Sequence, residues 1–207
     1  MILTLIAVGD EYIEKTLPCI NKYLNHGWQV KVLTDKPYRF NGRVETYHYN
    51  KKIFTFFDKL LFPLSMAEKY REGVLYIDVD WMCEPSERFV TEFKGGDKFL
   101  YNNLWPHGDT FASYKTDGYF SVLMDYFYRE NITNYDQLKT LVEVIYYIPY
   151  SEKLGDMIFD VEKIKPVFEY TSTIIDTGYS GIGNGEGLAL SYVLDKHDIP
   201  MEKFEYL

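Results

Sequence analysis

The sequence predicts an α/β domain whose mostly parallel central sheet is flanked by helices. Short apolar runs typical of buried strands alternate with segments of helical periodicity through the first hundred residues. This alternation favours a parallel sheet with helices on both faces. The chain has 207 residues, of which 46% are hydrophobic, and this suits one domain with a packed core. We therefore expect a single domain over residues 1–207.

The elements of the first half follow in order from these patterns. The opening apolar run predicts a buried strand. Asp10 can cap the helix after it, in which Ile13, Leu17 and Ile20 recur at helical spacing. A similar spacing predicts a second helix over residues 57–70. The predicted strands cover residues 2–8, 28–34, 44–48 and 74–78.

The second half has a less regular pattern. An apolar segment at residues 99–103 is typical of a strand, and the end of the chain carries a helical pattern at 188–196. Between them, the pattern predicts helices at residues 119–129 and 135–147 and a short strand at 173–176. We draw no domain boundary between the two halves.

The composition disfavours several classes of function. Lys and Arg number 22 against 31 Asp and Glu, so the net charge is −9 and the overall field repels nucleic acid and anionic membranes. The apolar runs are much shorter than the ~20 residues of a membrane-spanning helix. The two cysteines, Cys19 and Cys83, have neither a disulfide framework nor a zinc-binding spacing. We expect a cytoplasmic protein with no membrane span and no nucleic-acid partner.

Two carboxylates, Asp78 and Asp80, stand two residues apart where an apolar strand ends. Carboxylates at the mouth of such a strand are costly unless something neutralises them. They either cap the following turn or bind a hard divalent cation through oxygen. Ligands of parallel sheets bind beyond the carboxyl ends of the strands, so these residues would share an edge with the ends of the strands at 2–8 and 28–34.

The run VLYIDVDW at residues 74–81, after an amphipathic helix, and the opening ILTLIAVGDEY resemble glycosyltransferases of the GT-A fold. Asp78-Val79-Asp80 matches the Asp-x-Asp motif of that superfamily, and GEGLALSYVL at 185–194 resembles it more weakly. The resemblance implies a Rossmann-like, nucleotide-sugar-binding half at about residues 1–100 and a variable acceptor half at about 101–207. The chain is similar to small soluble bacterial or virus-encoded members, or to one domain cut from a longer chain. A virus-encoded protein would act in the host cytoplasm.

The resemblance places the nucleotide at the ends of the predicted strands. Lys59 would contact the diphosphate or ribose, although its place on the helix also suits a solvated lysine. Asp78 would meet the ribose or a metal ion, Mn²⁺ or Mg²⁺, and Asp80 would bind that metal directly. The other nucleotide-binding candidates are Ala7, Val8, Asp10, Tyr12, Thr34 and Asp35. As structural alternatives, Ala7 and Val8 could pack in the core, and Asp35 could form a turn before Lys36-Pro37.

The resemblance also implies a third metal ligand and a catalytic carboxylate in the second half. His197 and Asp176 are the candidates for the third ligand. Glu186 is the first candidate for the catalytic carboxylate, although a glutamate in a first helical turn is favourable without catalysis. Asp156 is the second candidate. The carboxylate would be a base if the reaction inverts the anomeric centre, or a nucleophile or charge stabiliser if it retains the configuration, as we expect.

The implied activity is transfer of a sugar from a UDP-sugar, UDP-glucose or similar, to a hydroxyl of a glycan, a glycoprotein or another acceptor. Trp105, His107 and Asp109 could contact that acceptor or form a surface loop. One rival is a sugar nucleotidyltransferase, which the acidic Asp10 and Glu11 after the first strand disfavour because that class usually has a basic phosphate loop there. The other rival is a non-catalytic module that binds a nucleotide or cation.

Overall fold

The computed structural model describes residues 1–51, 57–79, 86–102, 129, 145–174 and 185–204. Several residues and segments singled out above lie outside these ranges, namely Asp80, Cys83, Asp176, the loop at 105–109 and all but residue 129 of the helix expected at 119–129. The backbone of Glu186 is described, whereas its side chain is not.

The described residues form one seven-stranded sheet in the order β3-β2-β1-β4-β6-β5-β7. The first four strands are parallel to one another, β6 is antiparallel to both β4 and β5, and β7 is parallel to β5. The strands are β1 (Ile2–Ala7), β2 (Gln29–Thr34), β3 (Glu45–His48), β4 (Val74–Ile77), β5 (Phe99–Tyr101), β6 (Ile145–Ile148) and β7 (Met201–Lys203).

Helices cover both faces of this sheet. The described helices are α1 (Asp10–Asn25), α2 (Asp58–Tyr70), α3 (Glu87–Glu92), α4 (Leu154–Ile174) and α5 (Gly185–Lys196), with a 3₁₀ turn at Pro37–Arg39. Alternate residues of each strand pack on opposite layers: Ile2 and Ile6 belong to the core beneath α2, α4 and α5, while Leu3 and Leu5 belong to the core beneath α1 and α3. The α/β class with a mostly parallel, helix-flanked sheet is therefore confirmed.

The direction in which successive strands are added to the sheet reverses at β1. From β1 the chain passes through α1 to β2 and then to β3 on one side, and it returns through α2 to β4 on the other side. The pairing with β2 extends over Ile2–Ala7, whereas the pairing with β4 covers Ile2–Thr4. The β1–β4 pairing therefore ends before the carboxyl end of β1. This is the topological switch point, and open α/β sheets bind their ligands in a crevice at this place.

The opposite, amino-terminal edge of the sheet is closed by close packing. The Tyr147 ring of β6 lies against Gly73 and Gly95, and a Cβ on either glycine would overlap that ring. The Tyr147 hydroxyl donates to the carbonyl of Gly96 at 3.3 Å. Burial in this contact raises the pKa of Tyr147. Glycine at these two positions thus makes room for an aromatic side chain that fills the sheet edge.

Two predictions in the second half are wrong where the structure describes them. Of the segment 135–147, expected to be a helix, residues 145–147 belong to strand β6 and the others lie outside the described residues. All four residues of β6 are buried, so they carry no alternation typical of a half-exposed strand. The strand expected at 173–176 conflicts with α4, which extends to Ile174. That helix is signalled by its buried positions, which recur at helical spacing: Leu154, Met157, Val161 and Ile164.

The strands expected in the first half, and the one near residue 99, are confirmed with slightly different ends. Within the described ranges, no helix combines the length and the apolar character that a bilayer crossing requires.

Candidate functional site

The loops that follow β1, β2 and β4 meet at the carboxyl-end edge of the parallel strands, around the switch point. This edge carries Gly9 after β1, Asp35 after β2 and Asp78 after β4. The sequence-based expectation that these strand ends share one edge is therefore confirmed.

The turn after β1 is tied to the turn after β2. The Gly9 amide donates to Oδ1 of Asp35 at 2.9 Å. Gly9 has φ 91° and ψ 153°, a conformation that residues with a Cβ rarely adopt. The Asp35 carboxylate thus accepts a backbone hydrogen bond, a role different from the direct contact with the base that the resemblance implies.

Asp10, in the first turn of α1, is held by cations from the segment after β2. Its Oδ2 lies 2.6 Å from Nζ of Lys36 and its Oδ1 lies 3.3 Å from Nη1 of Arg39. The hydrogen bond and the charge of Lys36 lower the pKa of Asp10, and the same contact raises the pKa of Lys36. Asp10 is therefore ionised and neutralised locally, next to the proposed nucleotide position.

Tyr12 presents an aromatic ring at this edge. Its ring is 37% exposed, lies within van der Waals distance of the position that a Gly9 Cβ would take, and has Nζ of Lys15 at 5.4 Å from its centroid. An exposed ring beside a strand end is suited to stacking on a planar base. The structure places Tyr12 where the sequence prediction needs it, and contact with a nucleotide stays a prediction.

Ala7 and Thr34 end β1 and β2 with buried side chains. The Ala7 side chain packs in the core beneath α1. The Thr34 hydroxyl accepts a hydrogen bond from the Lys36 amide at 3.2 Å, and the Thr34 carbonyl accepts one from the Tyr49 amide at 2.7 Å. These contacts shape the edge from below, so a nucleotide would meet the backbone here rather than these side chains.

On the other side of the crevice, Lys59 and Asp78 form an ion pair. Nζ of Lys59, on the first turn of α2, lies 2.5 Å from Oδ2 of Asp78, and the two side chains are 13% and 9% exposed. The Tyr146 hydroxyl of β6 donates to the Lys59 carbonyl and so fixes the start of α2. The other carboxylate oxygen of Asp78 accepts no hydrogen bond from any described residue.

A second buried carboxylate lies beside this pair in sequence. Asp58, the first residue of α2, accepts a hydrogen bond from the Tyr49 hydroxyl at 3.1 Å and from Nζ of Lys51 at 2.5 Å. No role for these three residues was predicted from the sequence. A carboxylate at the start of a predicted helix, with a lysine shortly before it in the sequence, is a pattern that could have identified these residues.

The chemistry of this edge only partly matches a divalent cation site. Asp78 supplies one carboxylate at a strand end, and paired oxygen ligands are what Mn²⁺ and Mg²⁺ prefer. Asp80, its proposed partner, lies outside the described ranges. No group of three or more His, Cys, Asp or Glu side chains suited to a metal occurs among the residues that the structure describes. The assignment of Asp78 and Asp80 to a metal stays a prediction.

His197 does not join Asp78. Its Nε2 lies 2.7 Å from Oδ2 of Asp160 on α4, and its carbonyl accepts from Nζ of Lys153. Lys153 follows β6, whose last residue, Ile148, pairs with the first residue of β4. His197 is therefore at the amino-terminal edge, because helix α5 ends there. The proposal that it is a third metal ligand has no geometric support.

Asp156 also belongs to the amino-terminal edge. It lies in the first turn of α4 and lines a cavity of about 450 Å³ with Glu68, Arg71 and Tyr150. Glu186 differs, since it is the second residue of α5 and stands roughly 16 Å along the helix from His197, given a rise of 1.5 Å per residue. Of the two catalytic candidates, Asp156 lies at the amino-terminal edge, whereas Glu186 lies away from it.

Comparisons with known proteins give likeness in shape only. No protein-family model matches the chain, and no curated protein matches its sequence. The glycosyltransferase GlyE from Streptococcus pneumoniae TIGR4 has 11% identity and a TM-score of 0.48 over 99% of this chain and 45% of its own. The 4-diphosphocytidyl-2C-methyl-D-erythritol synthase from Anaerococcus prevotii DSM 20548 has 10% identity and a TM-score of 0.46, over 100% of this chain and 88% of its own. The chain thus spans less than half of the GlyE length.

Proposed function

We propose that this chain is a metal-dependent glycosyltransferase that uses a UDP-sugar as donor and a hydroxyl of a glycan or similar molecule as acceptor. The observation that supports this most is the Lys59–Asp78 ion pair at the switch point. It lies across the crevice from the Gly9 turn, at the edge where α/β sheets bind nucleotides.

The charge of the protein makes this pair informative. A diphosphate approaching a chain of net charge −9 needs a cationic contact close at hand. Lys59 is 13% exposed and lies at the crevice. Its ammonium can therefore exchange its contact with Asp78 for one with a phosphate oxygen, with little movement of the side chain. Lys51, bound to Asp58 in the preceding segment, would add a second cation at this edge.

Asp78 and Asp80 would hold the divalent cation, Mn²⁺ or Mg²⁺. Such an ion supplies charge neutralisation of the departing diphosphate when it is bound. The Lys59 ammonium supports the same function through its own charge, and the Tyr146 hydroxyl keeps the first turn of α2 in place under it.

In the proposed sugar transfer, the oxygen of the acceptor hydroxyl forms a bond to the anomeric carbon. The bond from that carbon to the diphosphate oxygen breaks, and its electron pair leaves with UDP. The hydroxyl proton passes to a base, for which Glu186 is the candidate, or to the leaving phosphate oxygen. Lys59 stabilises the negative charge that develops on the leaving group. The retention of configuration remains our expectation for this reaction.

Calorimetric titration of UDP with and without Mn²⁺ tests the proposal. We expect Mn²⁺-dependent binding that Asp80→Ala abolishes and that Lys59→Met weakens by about tenfold, since one charge-assisted contact is lost. Lys98→Met is the matched control, because Lys98 pairs with Glu202 near the start of β5, at the amino-terminal edge. UDP binding that ignores both Mn²⁺ and the two site variants would contradict the proposal.

A non-catalytic nucleotide-binding module is the second candidate. The ion pair of Lys59 with Asp78 favours it, because two groups that neutralise each other are stable without chemistry. Hydrolysis of UDP-glucose separates the two candidates: slow release of glucose that Glu186→Gln removes supports the transferase. UDP binding with no hydrolysis and no transfer to any hydroxyl acceptor would support the binding module.

A further inference from the structure

One backbone hydrogen bond cannot form in the first turn of α2. A helical carbonyl normally accepts a hydrogen bond from the amide four residues further along the chain. For the Lys59 carbonyl that residue is Pro63, which lies inside α2 and has no N–H. A proline also crowds the carbonyl four residues before it, and this weakens the helix at that place. The sequence of α2 therefore leaves the Lys59 carbonyl without its usual donor.

The Tyr146 hydroxyl of β6 supplies a donor in place of that amide. It donates to the Lys59 carbonyl. The Tyr146 side chain is 1% exposed, and the centroid of its ring lies 5.0 Å from that of Tyr76 and 5.6 Å from that of Phe99. Because a ring packed against two others has little freedom, the hydroxyl reaches α2 from a fixed position.

Tyr146 also relates the start of α2 to the strand that precedes Asp78. It pairs directly with Tyr76 in the β4–β6 register, and Asp78 follows Tyr76 by two residues. Nζ of Lys59 lies 2.5 Å from Oδ2 of Asp78. Tyr146 thus contacts both parts of the chain that contribute to this ion pair, β4 through strand pairing and α2 through its hydroxyl.

The residue before Lys59 is held from the other side. Asp58 accepts a hydrogen bond from the Tyr49 hydroxyl at 3.1 Å, and the Tyr49 amide donates to the Thr34 carbonyl, at the end of β2, at 2.7 Å. The first turn of α2 is therefore tied to β2 through Asp58 and to β6 through the Lys59 carbonyl. Only the second of these contacts acts on the backbone of Lys59 itself.

We propose that Tyr146 is a positioning residue for Lys59, whose hydroxyl replaces the amide that Pro63 lacks and so fixes the place from which the Lys59 ammonium meets the diphosphate. The inference rests on the proposed use of a nucleoside diphosphate sugar. A cation that is held in its binding position loses less conformational entropy when the ligand arrives. Without the hydroxyl, the first turn of α2 would be less well fixed, and the diphosphate would bind more weakly.

Titration of UDP in the presence of Mn²⁺ tests this role. Tyr146→Phe keeps the ring and removes the hydroxyl, and we expect it to weaken UDP binding about fivefold, the cost of one hydrogen bond. The same substitution should have no effect in a Lys59→Met protein, because the ammonium that it would misplace is then absent. Tyr147→Phe is the matched control and should leave UDP binding unchanged, since its hydroxyl donates to the Gly96 carbonyl at the amino-terminal edge.

Pro63→Ala provides a second test, which needs no nucleotide. An alanine amide at this position can donate to the Lys59 carbonyl. The loss of stability that Tyr146→Phe causes should therefore be smaller in a Pro63→Ala protein than in the unaltered one, as measured by urea unfolding. Equal losses in the two proteins would overturn the inference, because the hydroxyl would then not be replacing the missing amide.

Three binding results would also overturn it. The first is unchanged UDP binding by folded Tyr146→Phe, and the second is an equal weakening with and without Lys59. The third is a weakening by Tyr147→Phe as large as that by Tyr146→Phe. Failure of the unaltered protein to bind UDP would instead contradict the proposed function, and the unfolding comparison would still decide whether Tyr146 replaces the missing amide.

Discussion

Two buried carboxylates at opposite edges of the sheet, Asp160 and Asp78, differ in the number of their partners. At the amino-terminal edge, Asp160 of α4 has one oxygen 2.7 Å from Lys196 and the other 2.7 Å from His197, so α4 and α5 are locked together. At the carboxyl-end edge, Asp78 has Lys59 on one oxygen. Both side chains are 9% exposed, so the difference lies in their partners and not in their burial.

Under the proposed function, one residue type would serve stability in one place and ligand binding in another. A carboxylate whose two oxygens are both occupied contributes to folding and has little capacity for a ligand. A carboxylate with an available oxygen beside an opening crevice can exchange its lysine for a cation or a hydroxyl. The proposed site therefore includes one carboxylate, Asp78, with an oxygen that accepts no hydrogen bond from the described residues, whereas both oxygens of the neighbouring Asp58 are bound.

Asp160→Asn should produce the largest loss of stability. Burial raises the pKa of Asp160, but the hydrogen bonds from Lys196 and His197 outweigh this effect and lower the pKa overall. Asp160 is therefore charged at neutral pH. Loss of this charge leaves Lys196 without its counter-charge and removes one acceptor from the contacts with Lys196 and His197, and breaking such a buried pair typically costs about 3 kcal/mol. Urea unfolding would measure the change, with exposed Glu162→Gln on the same helix as control. An effect as small as that of the control would contradict the locked arrangement.

Gly95→Ala should have the next largest effect, because it tests how tightly the amino-terminal edge is filled. The added Cβ overlaps the Tyr147 ring, whereas a Cβ on the adjacent Gly96 meets open space. Overpacking of this kind costs about 2 kcal/mol. A lower midpoint of thermal unfolding is expected for Gly95→Ala and not for Gly96→Ala. Equal midpoints for the two variants would show that Tyr147 can move aside.

Asp78→Asn should lower stability less than Asp160→Asn does. The amide still accepts a hydrogen bond from Lys59, so the expected loss in the free energy of unfolding is about 1 kcal/mol. Mn²⁺-dependent UDP binding should be lost in the same variant, measured by calorimetry on folded protein. A large loss of stability with unchanged UDP binding would reverse the distinction between the two edges.

Acid should weaken the amino-terminal edge by a smaller amount at a predictable pH. Hydrogen bonds from Lys31, Tyr70 and Tyr47 lower the pKa of Glu45, the first residue of β3, from 4.5 to about 2. Its contribution to stability is therefore complete above pH 4.5 and is lost as the pH falls toward 2. Glu45→Gln should flatten the pH dependence of urea unfolding in that window. An unchanged dependence would assign the acid sensitivity to other carboxylates.

Much of the fold was predictable because its first half obeys simple patterns. Apolar runs that end in glycine or aspartate gave β1, β2 and β4, and the rule for parallel sheets placed Asp35 and Asp78 at one edge. The position of β6 was not predictable by the same rule, because IYYI directly continues the apolar residues before it, with no glycine or proline to mark where a strand begins.

The site itself was predictable by residue type but not by partner. Sequence identified Lys59, Asp78 and Asp35, yet nothing local indicates that Asp35 binds the Gly9 amide or that Tyr146 binds the Lys59 carbonyl. Such contacts join residues that are distant in the chain and depend on the order of the strands. The same order placed His197 and Asp156 at the wrong edge for the roles that the resemblance implies.

Strand β6 has a consequence for any attempt to divide this protein. It lies between β4 and β5, although those strands come from the first hundred residues and β6 begins at Ile145. Its Tyr146 also anchors the segment bearing Lys59. A polypeptide truncated near residue 100 would expose the open flank of β4, a template for unwanted association. The sheet of the first hundred residues, where we propose that the donor binds, is thus completed by a later strand, and the two parts must fold together.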